Sequence, residues 1–407
     1  MAQTYITRSI EPVLEKAASE FPAVLLTGPR QSGKTTLLQH MFKKNYTYVS
    51  LEPPDVRASA IEDPRGFMGA FPPPVIFDEV QYAPDLLPYI KEHIDQNRDI
   101  PGQFLLTGSQ NLLLQAKITE SLAGRAAVLH LYPLALREVR SMPHFPLPWD
   151  KETRSQQRVD FSGEDLWKSF TQGFYPELTS DPKRDIQLWH ASYVQTYLER
   201  DVRSLRQIGD LSQFQIFVRT LAARSTQLLN ISDLANSIGL SLNTIKAWLS
   251  VLEATYQIFI LRPYFTNIGK RLVKTPKVYF MDTGTLCYLT GLKSPEHASA
   301  GPMGGPIMET AVLSEIIKTL THRGLPPQIY FWRTSIGSEV DIIVEQDQKL
   351  VPIEVKVSST PRPGMATSIK IFQKDFGERA LPGYVIHPGT VKLPLGDNVT
   401  ALPLSEL

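Results

Sequence analysis

Ile10, Val13, Leu14 and Ala17 fall on one face of a helix predicted over residues 10–22. The next apolar run, AVLLTG at 23–28, is short, unbroken and closed by glycine, the pattern of a strand buried on both faces of a parallel sheet. TTLLQHMFKK returns to helical spacing. YTYVSLE, PVIFDEV and GQFLLTGS read as three further strands, with the helix PDLLPYIKEHIDQN between the last two. Strands alternating with helices predict a parallel sheet covered on both faces, hence an α/β fold for residues 1–135.

After Pro133 the pattern changes. Residues 141–150 are rich in proline, and residues 183–230 read as helical, most clearly in HASYVQTYLERDVRSL. In the stretch from Ile231, Ser232 is expected to cap one helix, Gly239 to turn the chain, and a second capped helix to start near Ser241. Strand-like IFILRPYF and KVYFMD follow, so residues of about 225–285 predict a winged helix-turn-helix within a helical region spanning 136–300. GPMGGP at 301–306 is a joint. Residues 301–407 then read as a helix over 307–319 followed by strands QIYFWRT, EVDIIVE and LVPIEVKV, a small α+β domain.

Composition narrows the class without deciding it. A chain of 407 residues exceeds what one core usually holds, so two or three domains are expected. The formal net charge of +1 does not call for nucleic acid globally, and any such surface must be local. The single cysteine, Cys287, excludes an internal disulfide and lies in no Cys/His cluster, which argues for a reducing, cytoplasmic setting and against structural zinc. The charged N-terminal stretch does not read as a signal peptide, and no apolar run reaches the roughly 18 residues a membrane helix needs.

The candidate chemistry starts in GPRQSGKTTL. Gly28, Pro29, Arg30, Gln31, Ser32, Gly33, Lys34, Thr35 and Thr36 sit between a predicted strand and a predicted helix, with the spacing of a phosphate-binding loop. Glycines let backbone N–H groups face phosphates, and the helix N-terminus adds positive potential. Lys34 is expected to reach the β- and γ-phosphates of ATP, and Thr35 to place a hydroxyl on Mg2+. Asp78, at the carboxyl end of VIFD, is expected to hold the same metal. Glu79 next to it is expected to polarise the attacking water. A kinase would need a base beside a substrate hydroxyl, so adjacent Asp and Glu favour hydrolysis. Thr107 and Ser109, ending FLLTGS, could sense the γ-phosphate or simply cap the chain. Arg125 is a candidate arginine finger or a surface arginine.

These segments, with VIFDEVQYAPDLLPYIKEHID, ESLAGR and YPLALREV, resemble the AAA+ P-loop ATPases of a bacterial and archaeal family that fuses the ATPase to a C-terminal domain of unknown function. The resemblance continues through YVQTYLERDV to EVDIIVE and IEVKV. It implies ATP binding and possible rings, and names no substrate.

In the last domain, Glu309 lies on a helix, Asp341 on a strand, and Glu354 and Lys356 on the next. Strand alternation puts Glu354 and Lys356 on one face and Ile353, Val355 and Val357 on the other. Asp341 and Glu354 could share Mg2+, and Lys356 could orient or deprotonate a water. The arrangement resembles the restriction-endonuclease-like PD-(D/E)xK fold, in which Glu309 would be the helical carboxylate. It departs from that pattern at Val340, where proline is usual.

Nucleic-acid contact has modest support. The second helix of the helix-turn-helix offers only Lys246 and Glu253 as charged groups, whereas NIGKRLVKTPK carries Lys270, Arg271, Lys274 and Lys277. Arg200, Arg203 and Arg206, mixed with Glu199 and Asp201, suggest ion pairs or a neighbouring subunit. Two readings stand. One is a Mg2+-dependent ATPase that couples nucleotide state, through its C-terminal half, to binding or cleavage of a nucleic-acid partner, DNA or RNA. The other is an ATP-controlled protein-interaction switch with an inactive nuclease-like domain.

Overall fold

The computed structural model describes residues 5–109, 121–150, 163–198, 211–265 and 274–407. Lys270, Arg271 and the arginines at 200, 203 and 206 lie outside them.

The N-terminal sheet has five strands in the order β2-β3-β4-β1-β5: β1 (Ala23–Gly28), β2 (Thr47–Ser50), β3 (Val75–Asp78), β4 (Phe104–Ser109) and β5 (Ala126–His130). Every pairing is parallel. Strand period explains why both faces must be covered. Val24 and Leu26 pack with Ile10, which precedes α1 (Glu11–Glu20), with Leu14 of α1, and with Leu37 and Leu38 of α2 (Lys34–Phe42). Ala23 and Leu25 face the other way, onto a layer formed by α3 (Pro54–Glu62), α4 (Pro64–Ala70) and α5 (Leu87–Gln96). The order β3-β4-β1 sets the carboxyl ends of three strands side by side, where ligands of open α/β sheets bind.

Two short helices, α3 and α4, and the strand β5 were not expected from the pattern. Only Ala60 is buried in α3 and only Phe67 in α4, so neither carries an apolar stripe.

In the rest of the chain the main core runs from Tyr132 to Leu407, with smaller clusters beside it. The longer helices of this part are α6 (Gly163–Gln172), α7 (Ile186–Tyr193), α8 (Leu211–Ala223), α9 (Ile231–Ile238), α10 (Leu242–Ala254), α11 (Thr283–Leu289), α12 (Gly304–His322) and α13 (Thr367–Phe376); α7 and α13 pack in the smaller clusters. Gly239, at φ 70°, ends α9 in the left-handed region. Ser241 Oγ caps α10 by accepting the Thr244 N–H at 3.1 Å. Asn230, not the expected Ser232, caps α9, accepting the Asp233 N–H at 3.1 Å.

The strands that follow, β6 (Ile258–Pro263) and β7 (Lys277–Phe280), pair antiparallel. They also extend the C-terminal sheet, because β6 runs parallel to β8 (Ile329–Arg333) through Arg262 and Pro263. That sheet has the order β12-β13-β11-β10-β9-β8-β6-β7, with β9 (Glu339–Gln346), β10 (Lys349–Val355), β11 (Gly383–His387), β12 (Leu393–Pro394) and β13 (Val399–Pro403). In the middle of eight strands, β10 is buried on both faces from Leu350 to Glu354, and Val357 beyond it is exposed rather than part of an apolar face.

Helix α12 is buried nearly all round, between β5 of one sheet and β10 of the other. Its C-terminal half meets the ATPase domain through charges. The Arg8 guanidinium pairs with Glu138 at 3.2 Å and donates to the carbonyls of Ser32 (2.9 Å) and Tyr132 (2.7 Å). Glu138 accepts the N–H groups of Ser9 (2.7 Å) and Ala135 (2.8 Å) and lies 3.3 Å from His322 Nδ1. His322 Nε2 accepts the Tyr132 N–H at 3.2 Å, which leaves the proton of a neutral ring on Nδ1, facing Glu138. One turn earlier, Lys318 donates to the Leu134 carbonyl at 3.0 Å, and two turns earlier Glu315 pairs with Arg137 at 2.9 Å. On another side, Thr27 of β1, His130 of β5 and Tyr256 of the α10–β6 turn meet within 3.1 Å of one another.

Candidate functional site

The phosphate loop connects β1 to α2. Gly33 takes φ 94° as the residue before α2, and Gly28 takes φ 150° with its Cα against the backbone of Leu131. A Cβ on Gly28 would stand 2.1 Å from the Leu131 carbonyl oxygen, so only glycine fits there. Lys34 folds back over the loop and donates to the carbonyls of Gly28 (3.1 Å) and Pro29 (2.9 Å).

Asp78, at the end of β3, receives the Thr35 hydroxyl at 3.0 and 2.9 Å, one distance to each carboxylate oxygen. It also accepts from Tyr48 Oη at 2.7 Å and from the Thr107 hydroxyl. Glu79 takes φ 60°, which turns its carboxylate toward β4. There it accepts the Ser109 N–H at 3.2 Å and the Gln81 amide, and Gln81 also donates to Ser109 Oγ at 3.0 Å. Burial would raise the Glu79 carboxyl. The charge on Lys34 and the hydrogen bonds from Gln81 and Ser109 outweigh it and hold Glu79 below its ordinary value. It is ionised at neutral pH. Thr107 and Ser109 thus bind the two acidic residues directly.

A cleft of ≈ 400 Å3 opens over Gly33, Lys34, Thr35, Thr36 and Glu79. Its far wall comes from residues that sequence reasoning did not connect with the loop: Tyr5, Ile6, Leu134, Pro176 and Glu177. No local motif marks them, because they arrive from before β1 and after β5.

Arg125 is not near this site. It precedes β5, whose first residue pairs with Ala23 at the opposite end of β1 from the loop, and it forms an ion pair with Asp95 at 2.6 Å. Six residues of strand separate it from the loop, about 20 Å.

In the C-terminal domain, Glu309 of α12, Asp341 of β9 and Glu354 of β10 come into one neighbourhood. Glu309 accepts from Tyr279 Oη, and Lys277 Nζ lies 3.4 Å from it. Asp341 accepts the Val355 N–H at 2.8 Å, and Lys356 Nζ donates to Glu354 Oε1 at 2.7 Å. Glu354 Oε2 is buried with no hydrogen-bond partner. Burial is the main cause that raises all three carboxyls above their ordinary values, and the charge on Asp341 adds to it at Glu309 and Glu354. Among the described residues, however, no three His, Cys, Asp or Glu side chains are arranged to hold a metal ion. The three expected ligands share an electrostatic environment, not a coordination sphere.

Lys277 corrects the expectation of a basic wing. It is 5% exposed and points into this cluster, pairing with Glu339 at 2.5 Å as well as with Glu309. Lys274 is exposed. With Lys246, Glu253 and Arg262 it lines an open cleft of ≈ 860 Å3 between α10 and β6. Among the described residues no helix is long and apolar enough to cross a membrane.

The model of an AAA domain matches residues 20–140. Two domains of unknown function, DUF8612 and DUF4143, match 163–296 and 304–407. Uncharacterized proteins of Mycobacterium tuberculosis and Mycobacterium bovis are each 30% identical over 396 residues, covering 97% of this chain and 82% of theirs. A Walker-type ATPase of Pyrococcus abyssi is similar in structure over 70% of this chain and 96% of its own, at 16% identity and a TM-score of 0.46. By its match to the AAA domain model, the N-terminal domain is a P-loop ATPase domain of the AAA type. The chain belongs to the same family as the two mycobacterial proteins.

Proposed function

We propose that the protein is a Mg2+-dependent ATPase whose nucleotide state governs the C-terminal carboxylate cluster, with nucleic acid as the molecule acted on. The observation that carries the ATPase reading is the meeting of Lys34, Thr35, Asp78 and Glu79 at the ends of β1 and β3. Thr35 and Asp78 already share a hydrogen bond, and both present oxygen to one point, a donor set that suits Mg2+. Bound there, Mg2+ would neutralise charge on the transferred phosphate. Lys34 leaves the loop carbonyls for the β- and γ-phosphates. Glu79 releases Gln81 and Ser109 and takes a proton from the attacking water, giving ADP and phosphate.

In the C-terminal half, the partnerless Glu354 Oε2 supports a cation site. A buried carboxylate oxygen without a partner is costly unless a ligand completes it. Asp341 and Glu354 would hold the cation, Glu309 would assist, and Lys356 would orient the water. The helix-turn-helix with β6 and β7 is read as a winged helix, whose cleft carries Lys246, Arg262 and Lys274 for backbone phosphates. The alternative, an ATP-controlled protein-interaction switch, draws on one observation: Lys277 already neutralises part of the cluster.

The test is ATP turnover with and without DNA or RNA, with substrate integrity followed on a gel. Glu79→Gln should bind ATP and lose turnover by about 10²–10⁴-fold, and Lys34→Ala should not bind ATP. Cleavage by wild type but not by Lys356→Ala supports the nuclease reading. Turnover that ignores nucleic acid, with no cleavage, supports the switch.

A further inference from the structure

Lys277 belongs by sequence to the loop that joins β6 and β7, but its ammonium is spent inside the C-terminal cluster. Nζ lies 2.5 Å from Glu339 and 3.4 Å from Glu309, and the face of Phe331 is 5.4 Å away. Glu339 has a second, weaker partner in Arg333 at 3.7 Å. The oxygen of Glu309 that Lys277 approaches, Oε1, is also the one that accepts from Tyr279. Glu309 is thereby held toward β7, while Glu354 Oε2 is left buried without a donor. That pairing commits one of the three carboxylates to β7.

We propose that Lys277 is the resident cation at Glu309 in the C-terminal cluster, whose Glu354 is paired with Lys356, and that a divalent cation binds there only by displacing Lys277 from Glu309. The inference rests on the reading of Glu354 and Asp341 as cation ligands. It makes Lys277 a positioning residue: it sets whether Glu309 faces β7 or joins Asp341 and Glu354.

Competition of this kind lowers apparent affinity by the fraction of time the site is free. A site vacated by its lysine about a tenth of the time binds about tenfold more weakly than one with no lysine. The experiment is a Mn2+ titration of nucleotide-free protein, followed by electron paramagnetic resonance. All variants carry Asp78→Asn, so that the phosphate loop does not contribute. Lys277→Met is expected to bind Mn2+ about tenfold more tightly than the protein with Lys277. Equal or weaker binding in Lys277→Met, with the Lys277 protein still binding, overturns the inference and leaves the cation site standing. Absence of binding in both overturns the cation-site reading and the inference with it. A second measurement needs no substitution at Lys277. Acylation of Lys277 by acetic anhydride, followed by mass spectrometry, should be slow without Mn2+ and several-fold faster at saturating Mn2+. An unchanged rate at saturation overturns the displacement.

Discussion

Arg8→Met is the sharpest test of how the ATPase domain is joined to the rest of the chain. The guanidinium is almost wholly buried, and its partner Glu138 is fully so. Glu138 is held well below the usual carboxylate range. Burial opposes this, but Arg8 is the largest favourable cause, followed by His322 and backbone N–H groups. At neutral pH the substitution strands an ionised carboxylate that keeps only the N–H groups of Ser9 and Ala135 and a neutral His322. Removing one member of a buried pair costs about 3–5 kcal/mol. The carbonyls of Ser32 and Tyr132 also lose a charged donor, so the upper half of that range is expected. Arg8→Met/Glu138→Leu should cost less than Arg8→Met alone, because it removes the stranded charge with the pair. Urea unfolding at pH 7.5, followed by circular dichroism, gives the comparison. A loss under 1 kcal/mol in the single variant, or a double variant that loses the sum of both singles, would refute the account. The Ser32 carbonyl is part of the phosphate loop, so ATP affinity should fall in the single variant as well.

Other expectations follow from the same geometry. Gly28→Ala must push the Leu131 carbonyl aside, at about 1–3 kcal/mol, and should lower both melting temperature and ATP affinity. Burial holds His322 below its ordinary value, so the folded ring stays neutral while the unfolded one gains a proton as pH falls through about 6.5. Stability is therefore full above that pH and declines below it. The fall in melting temperature between pH 7.5 and 5.5 should be smaller in His322→Asn, though not abolished, because His190 is shifted the same way. An equal fall in both proteins would contradict the assignment. Burial, helped by the charge on Asp341, pushes Glu354 up to about 8, so its buried charge is present only at higher pH; Glu354→Gln should therefore raise the melting temperature in chelator at pH 9 more than at pH 7, and should cancel any rise caused by Mg2+.

What could be read from the sequence was what is local. The phosphate loop, Asp78 and Glu79 are contiguous segments whose backbone conformation follows from their own residues, and the strand runs carry their burial in their apolar content. Lys277 was misread because the neighbouring lysines and arginine gave it the character of a basic loop, while β7 turns its side chain inward. The Arg8–Glu138–His322 cluster joins residues 130 and 184 positions apart along the chain, and no spacing rule links an arginine before the first helix to a histidine near residue 322. Asn230 and Ser232 both suit a helix start; which one caps depends on where the pairing of Leu229 with Pro276 ends.

The continuity of the C-terminal sheet through β6 and β7 sets a rule for dissecting the chain. The DUF4143 match begins at residue 304, in the first turn of α12, after both of these strands. A fragment cut there would leave β8 as a bare edge, with the backbone groups of Tyr330 and Phe331 that meet Arg262 and Pro263 open to pairing with another molecule. It would also lack Lys277 and Tyr279, leaving Glu309 with neither cation nor donor. Such a fragment is expected to aggregate, whereas one beginning ahead of α9 keeps the edge covered.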